Sequence, residues 1–305
     1  MSVGPPDFLV VSHLKRIALV KTGLLVVIVL VVISILTVVL NLPRAIAQYA
    51  HHPQAEKYQL VADLLEKAIV SDDGTPEEQR SRLVEAISKG ISELPEHSYV
   101  ARELSSLRES LQMSGLSLTE QGRVVQRIRQ IGENLRFRPI AEAKMPEGFP
   151  ACTPVGEVEV KQYPPYRVAV TKDGGMAFWR LFAHIKKNNV EMTAPVEMTL
   201  SENGDKPVLM GFLYEHSNQG SVGEDGQVTV RDETGGWVVS TGIRGPRNER
   251  SLAEARERVQ KWLSWHGDRW EVAGPPRLLG YNSPFVPSGQ NYWEYQIPVR
   301  EKHTP

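Results

Sequence analysis

The chain has 305 residues, a length that favours about two folded units over a single one. Its 35 Lys and Arg residues nearly balance its 36 Asp and Glu residues, and the formal net charge of -1 offers no general cationic surface to a phosphate backbone. Nucleic acid is therefore not an expected partner. Cys152 is the single cysteine, which excludes an intrachain disulfide framework, a CxxC redox pair and a Cys-rich zinc site.

Residues 22–43 carry no charged side chain and consist mostly of Leu, Val and Ile. At about 1.5 Å per residue, a helix of this length crosses a hydrocarbon layer of about 30 Å, so we predict a single transmembrane helix. The alternative is a signal peptide, because Ala45 and Ala47 imitate a small-x-small cleavage site. The apolar run is longer than the core of a typical signal peptide, which favours an uncleaved anchor.

The charges that flank this segment are asymmetric. Only Arg44 lies close to its end, whereas three cations precede it: Lys15, Arg16 and Lys21. The positive-inside rule then predicts that residues 1–21 form a cytoplasmic tail and that the C-terminal part of the chain is extracytoplasmic.

The region over residues 44–140 has helical periodicity. Thr75 with Glu78, and Ser117 with Glu120, show the spacing of a capping box, which marks two helix starts. Four stripes of apolar residues recur every three or four positions: Tyr58, Val61, Leu65, Ala68 and Ile69; Leu83, Ile87, Ile91 and Leu94; Val100, Leu104, Leu107 and Leu111; Val124, Ile128, Ile131 and Leu135.

These stripes predict four amphipathic helices that act as a helical spacer. Because the stripes are narrow, they favour helical hairpins or a coiled-coil seam over a broad globular core, and they suggest a homo-oligomer through this region. His51 and His52 lie just beyond the predicted membrane segment, where we interpret them as polar residues rather than metal ligands.

The pattern changes after Pro139, Pro146 and Pro150, and a second domain is predicted over residues 152–305. Alternating apolar residues predict strands, and the order strand, helix, strand, strand occurs twice. The second helix is expected over residues 251–265, with Ser251 as its N-cap and Glu254 as the capping-box partner. The fold class is therefore α+β, built from a duplicated β-α-β-β unit, and a cleft between the halves is the natural ligand position.

Four separated segments of this domain resemble the SOUL haem-binding family. The resemblance extends over residues 155–300. The four segments are Val158-Glu159-Val160-Lys161-Gln162-Tyr163-Pro164; Phe178 and Leu181 with His184-Ile185 and Asn189; Met192-Thr193-Ala194-Pro195-Val196; and Gly280-Tyr281-Asn282-Ser283-Pro284-Phe285 followed by Asn291-Tyr292-Trp293-Glu294. The resemblance implies a distorted β-barrel with two helices and non-covalent binding of haem or a related tetrapyrrole.

Such a ligand requires an apolar slot, cationic groups for two propionates and, optionally, an axial ligand to iron. His184 is the candidate metal ligand, although the family usually has Tyr at that position. Arg180 and Lys187 are candidates for the propionates, and Met192 offers a thioether. The candidates for the apolar slot are Phe178, Trp179, Leu181 and Ile185.

Local catalytic motifs such as GxSxG, HExxH and the P-loop are missing from the sequence, which favours a binding protein over an enzyme. The leading hypothesis is a membrane-tethered tetrapyrrole-binding protein. Two alternatives stay open: an interaction or sensor protein that binds a peptide or another amphipathic ligand, and an enzyme that modifies haem.

Overall fold

The computed structural model describes residues 52–70 and 74–302, all of which belong to the compact unit Arg44–Pro305. The predicted cytoplasmic tail, the predicted transmembrane helix over residues 22–43, the cleavage site at Ala47 and His51 lie outside the described residues. None of the helices within the described ranges combines the length and the apolarity that crossing a bilayer requires.

Four helices make up the first part of the described chain: α1 (Ala55–Val70), α2 (Pro76–Glu93), α3 (Tyr99–Gln112) and α4 (Leu118–Arg136). Both predicted capping boxes are confirmed, at Thr75 and at Ser117. The four apolar stripes face one another and form one buried core. The predicted helices are therefore confirmed, while association of copies through this region stays a prediction.

Ten strands and two helices follow. They are β1 (Val158–Tyr163), β2 (Tyr166–Lys172), α5 (Ala177–Lys187), β3 (Val196–Leu200), β4 (Pro207–Leu213), β5 (Gly223–Asp225), β6 (Val228–Glu233), β7 (Gly236–Arg244), α6 (Glu249–Trp265), β8 (Trp270–Val272), β9 (Arg277–Gly280) and β10 (Tyr292–Glu301), with one 3-10 turn at Ser288–Gln290. The strands form a single antiparallel sheet in the order β1-β7-β10-β9-β3-β4-β2-β6-β5, and β8 pairs with β10.

The duplication predicted from the sequence is present as β2-α5-β3-β4 and β7-α6-β9-β10. Strands β3 and β9 pair at the centre, so the two copies extend outwards from that pair in the same order. The hairpin β5–β6 and the short strand β8 were not predicted. Pairing among the described strands leaves β1 and β5 at the two ends of the sheet, so hydrogen bonding does not close it into a ring.

The expected N-cap of α6 was wrong by one turn. The helix begins at Glu249, and its N-cap is Asn248, whose side chain accepts a hydrogen bond from the Ser251 backbone N–H at 2.9 Å. The Ser251 hydroxyl accepts in return from the Asn248 N–H at 3.0 Å. Ser251 therefore serves as the third residue of the capping box, because an equally good capping residue precedes it.

The two faces of the sheet have different covers. Val239 of β7 packs in the core beneath α6, whereas the neighbouring Val238 packs with Ala141 and Met145. Adjacent residues of a strand point to opposite faces, so α5 and α6 cover one face and residues 137–155 cover the other. We call residues 137–155 the strap.

The helical part of the chain docks on the sheet domain through a buried carboxylate. Glu157, which is 1% exposed, accepts hydrogen bonds from the Ser98 hydroxyl at 2.5 Å and from the Tyr99 N–H at 2.6 Å. Ser98 is the N-cap of α3, so the Glu157 carboxyl lies at the positive end of that helix. Burial raises the pKa of Glu157 to about 7 despite these hydrogen bonds.

We expect this carboxylate to make stability depend on pH. Because the pKa of Glu157 is about 7 in the folded chain and 4.5 ordinarily, its contribution is fully present below about pH 4.5 and is lost as the pH rises through 7. Between those values the wild type should lose about 3 kcal/mol of unfolding free energy relative to Glu157→Gln. Urea unfolding at several pH values measures the difference. Glu254→Gln, on the exposed face of α6, is the control, and parallel curves for wild type and Glu157→Gln would contradict the assignment.

Candidate functional site

The cleft expected between the two halves is covered on the strap side of the sheet. Leu279 of the central strand β9 is fully buried and packs with Ala141 and Met145 of the strap. The Phe149 ring meets Tyr163 and Tyr166 edge-on, at centroid distances of 4.8 and 5.3 Å. On this face the chain itself therefore occupies the position that the sequence suggested for a ligand.

A buried carboxylate fixes the strap to the sheet. The Glu294 side chain is fully buried and accepts from the Thr153 N–H of the strap at 2.7 Å and from Lys161 Nζ at 2.8 Å. Its other donors are Tyr292 Oη, Ser240 Oγ and Gln296 Nε2.

Burial raises the pKa of Glu294, but the Lys161 ammonium and the hydrogen-bond donors outweigh that effect and hold the pKa below its ordinary value. The charge of Glu294 is thus satisfied internally and is not available to a ligand.

Close packing between strap and sheet explains one glycine. A Cβ atom on Gly242 of β7 would lie 2.1 Å from the Thr153 carbonyl oxygen, so only glycine allows the strap to approach this strand. Cys152 is buried beside this contact, and burial raises the pKa of its thiol. Cys152 therefore lacks the thiolate character of a reactive cysteine.

The second buried ion pair lies on the same face of the sheet. Arg277 Nη1 of β9 is 2.9 Å from Glu197 Oε2 of β3 and donates to Tyr166 Oη at 2.8 Å. Both charged side chains are nearly inaccessible, so this pair ties the two halves together and is not a ligand site.

Lys161→Met tests whether Glu294 holds the strap. The substitution leaves a buried carboxylate without its cation, which we expect to lower the free energy of unfolding by about 3–5 kcal/mol. Lys187→Met is the matched control, because its ion pair with Asp225 is exposed and screened by solvent, so a much smaller loss is expected. Urea unfolding measures both losses. A loss for Lys161→Met no larger than the control would show that the Glu294 network is not a structural anchor.

The structure separates the site residues predicted on α5 into two groups. Leu181 and Ile185 are buried in the core between α5 and the sheet, and Met192 packs against the same core. Phe178 and Trp179, in contrast, are 38% and 54% exposed.

Partly or largely exposed aromatic rings on α5 form a cluster that includes one residue not predicted for the site. Phe182 stacks on Phe178 at 6.0 Å and meets Trp179 edge-on at 6.2 Å, and Phe178 and Trp179 are 5.5 Å apart. Lys186 Nζ lies 5.4 Å from the centre of the Phe182 ring. We call Phe178, Trp179 and Phe182 the aromatic cluster. Phe182 follows Phe178 by four residues, which is the spacing of one helical face, but nothing in the sequence indicated that its ring lies at the edge of that face.

A surface cleft of about 300 Å³ adjoins the aromatic cluster along α5. Three of the predicted residues line it, namely Arg180, His184 and Lys187, together with Asp225 from β5. Asp225 was not predicted, because a single acidic residue in a Gly-rich turn gives no sequence signal. Hydrogen bonds from Lys187 and His184 lower the pKa of Asp225 to about 2, so the carboxylate is ionised.

Both ring nitrogens of the predicted metal ligand are hydrogen-bonded. His184 Nδ1 lies 2.7 Å from Asp225 Oδ2, and Nε2 lies 2.9 Å from Tyr214 Oη. Since an ionised carboxylate only accepts, Nδ1 carries a hydrogen and Nε2 faces the tyrosine. His184 is also only 6% exposed, so coordination of iron requires that the bond to Tyr214 break. Iron ligation by His184 stays a prediction.

Residues 150–292 match the family described as SOUL heme-binding protein, and this C-terminal part of the chain is a SOUL family domain. No curated protein matches the chain.

Two solved structures illustrate the level of structural similarity. The C-terminal domain of EcmrR is 14% identical, with a TM-score of 0.37 over 48% of this chain and 98% of that one. A hydrolase from Listeria innocua is 12% identical, with a TM-score of 0.38 over 48% of this chain and 94% of that one. Scores of this size carry no conclusion about function.

Proposed function

We propose that the SOUL domain binds haem or a related tetrapyrrole non-covalently at the outer face of α5. The observation that carries the proposal is the aromatic cluster, in which Phe178 and Trp179 expose large apolar surfaces within a domain of a family described as heme-binding. Contiguous exposed apolar surface in a folded domain commonly marks a ligand or partner site. Aromatic faces also suit a flat macrocycle, because offset stacking adds to the burial of apolar area.

Cationic side chains lie beside this surface. Lys186 stands over Phe182, and Arg180 lines the adjoining cleft together with Lys187. Guanidinium and ammonium groups are suitable donors for two propionates. Because Lys187 already pairs with Asp225, Arg180 and Lys186 are the better candidates for carboxylate binding.

The fit of a macrocycle differs between the two faces of the sheet. On the strap side, the backbone and Phe149 fill the position that a ring would need. On the α5 side, the cleft of about 300 Å³ is at the small end of the range of about 300–1,000 Å³ for ligand pockets. We therefore place the ring on the aromatic cluster and not inside the cleft.

We also propose that residues 22–43 anchor the protein in a membrane with the SOUL domain on the extracytoplasmic side. The uncharged and mostly apolar sequence and the three preceding cations support this part of the proposal. Ligand binding without catalysis is proposed because the local motifs of common catalytic sites are missing from the sequence.

A hemin titration of the full chain tests the site. We expect a Soret shift and saturable quenching of tryptophan emission, and Trp179→Ala should weaken binding about tenfold or more because it removes a large part of the stacking surface. Trp237→Ala is the matched control, since Trp237 is another partly exposed tryptophan, on β7 in the other half. Equal affinities of both variants and the wild type would contradict the placement on α5.

The same titration on His184→Ala examines the axial ligand. Because both nitrogens of His184 are already hydrogen-bonded, we expect the variant to keep the shape of the Soret band. A changed band with unchanged protein fold would instead identify His184 as the iron ligand.

A further inference from the structure

Helices α5 and α6 hold the same position in the two copies of the duplicated unit, and their buried residues follow the same spacing. In each helix, three buried residues are separated first by four positions and then by three. They are Ala177, Leu181 and His184 in α5, and Ala255, Val259 and Trp262 in α6. This shared spacing aligns the two helices position by position, so that each residue facing outwards on one has a counterpart on the other.

The chain itself covers one outward face of α6. The Tyr99 ring stacks on Trp265 at 5.5 Å, and the Arg258 guanidinium lies 5.9 Å from the centre of the Tyr99 ring. Trp262 Nε1 donates to the His97 carbonyl oxygen at 3.3 Å. Residues 97–99, at the start of α3, therefore fill the surface next to Arg258, Trp262 and Trp265.

The matching face of α5 lines the open cleft. The counterparts of Arg258, Lys261, Trp262 and Trp265 are Arg180, Ala183, His184 and Lys187, and all four line the cleft of about 300 Å³. The guanidinium is the same in both helices. Ala183 replaces a lysine, and its small side chain leaves room at this point for an incoming group.

One carboxylate binds the segment that covers α6, and another lies beside α5. Glu157 accepts from the Ser98 hydroxyl and the Tyr99 N–H at the start of α3. Asp225 lies beside α5, bonded to His184 and Lys187. Asn188 Nδ2 also donates to Asp225, at 3.5 Å. A carboxylate has about four acceptor positions, so Asp225 retains capacity for one further donor. The cleft thus offers a carboxylate acceptor and a guanidinium, the two kinds of group that contact residues 97–99 at α6. It also has room for an incoming segment.

From this correspondence we infer that the cleft beside α5 is a docking site for the start of a helix in a partner protein, in which a Ser or Thr N-cap is followed by an aromatic residue. Asp225 accepts from the N-cap hydroxyl, and Arg180 lies over the aromatic ring. The partner is a different polypeptide, because Ser98 and Tyr99 of a second copy are already bound by that copy's own Glu157. This inference does not depend on tetrapyrrole binding.

A photoreactive peptide tests the inference without hemin. The probe is a synthetic peptide of residues 95–112, the segment that fits the counterpart face of α6, with benzoylphenylalanine at position 99. Added to the full chain, it should bind saturably by fluorescence anisotropy, and mass spectrometry should find cross-links within residues 180–187 or 225–228. A peptide with Ser98→Ala should bind severalfold more weakly, because Asp225 loses one donor.

Two variants of the protein provide the matched comparison. Ala183→Trp fills the cleft from an exposed position and should weaken peptide binding at least tenfold, whereas Ala253→Trp, exposed on α6, should leave it unchanged. Circular dichroism verifies that both variants are folded. The inference is overturned if binding is not saturable or if Ala183→Trp binds the peptide like Ala253→Trp. Cross-links found only within residues 258–265 would also overturn it, because they would show that the peptide has replaced the chain's own residues 97–99 on α6.

Discussion

The buried carboxylate of Glu294 is the constraint on which the arrangement of the SOUL domain depends. A charge in the interior is tolerated only when its acceptor positions are filled, and here one donor, the Thr153 N–H, comes from the strap while Lys161 comes from β1. The same carboxylate therefore joins β10 to the strap and to β1, both of which precede it by more than a hundred residues. Releasing the strap would leave Glu294 short of a donor, which makes the covered face of the sheet the stable state.

This constraint determines which surface can take a ligand. With the strap in place, the face opposite the helices is occupied by backbone and by Phe149. The exposed aromatic cluster and the adjoining cleft both lie along α5, on the other side of the sheet. The proposed tetrapyrrole site and the proposed docking cleft have the same origin. Of the two helices in the duplicated fold, α6 is covered by residues 97–99, whereas α5 presents its outer face to solvent.

The two halves of the SOUL domain differ in what covers their helices. Helix α6 is covered by residues 97–99, and Glu157 fixes the start of α3 against the sheet. Helix α5 has no equivalent cover among the described residues. The helical region is thus more than a spacer in the described structure, because it packs on one half of the domain and leaves the other half open.

Sequence reasoning succeeded where the determining interactions are local. The spacing of apolar residues gave the helices, and the hydroxyl of Thr75 three residues before Glu78 gave a capping box. The same kind of reasoning wrongly placed the N-cap of α6 at Ser251. Both Asn248 and Ser251 are good capping residues followed by a residue that can complete a capping box, and the sequence alone does not rank one above the other.

Contacts between distant segments were beyond the reach of periodicity. Pro139, Pro146 and Pro150 marked a domain boundary in the sequence, but their segment is the strap, whose position is set by Glu294 more than a hundred residues later. For the same reason the partners of His184 were not foreseen, since Asp225 and Tyr214 reach it from other elements.

Hydrogen–deuterium exchange of the full chain with and without hemin tests the central claim most directly. If the strap stays fixed and the ligand binds on α5, hemin should slow exchange over residues 177–187 and leave residues 137–155 unchanged. Faster exchange over residues 137–155 together with new protection in β9 and β10 would mean that the ligand displaces the strap, which would contradict the account.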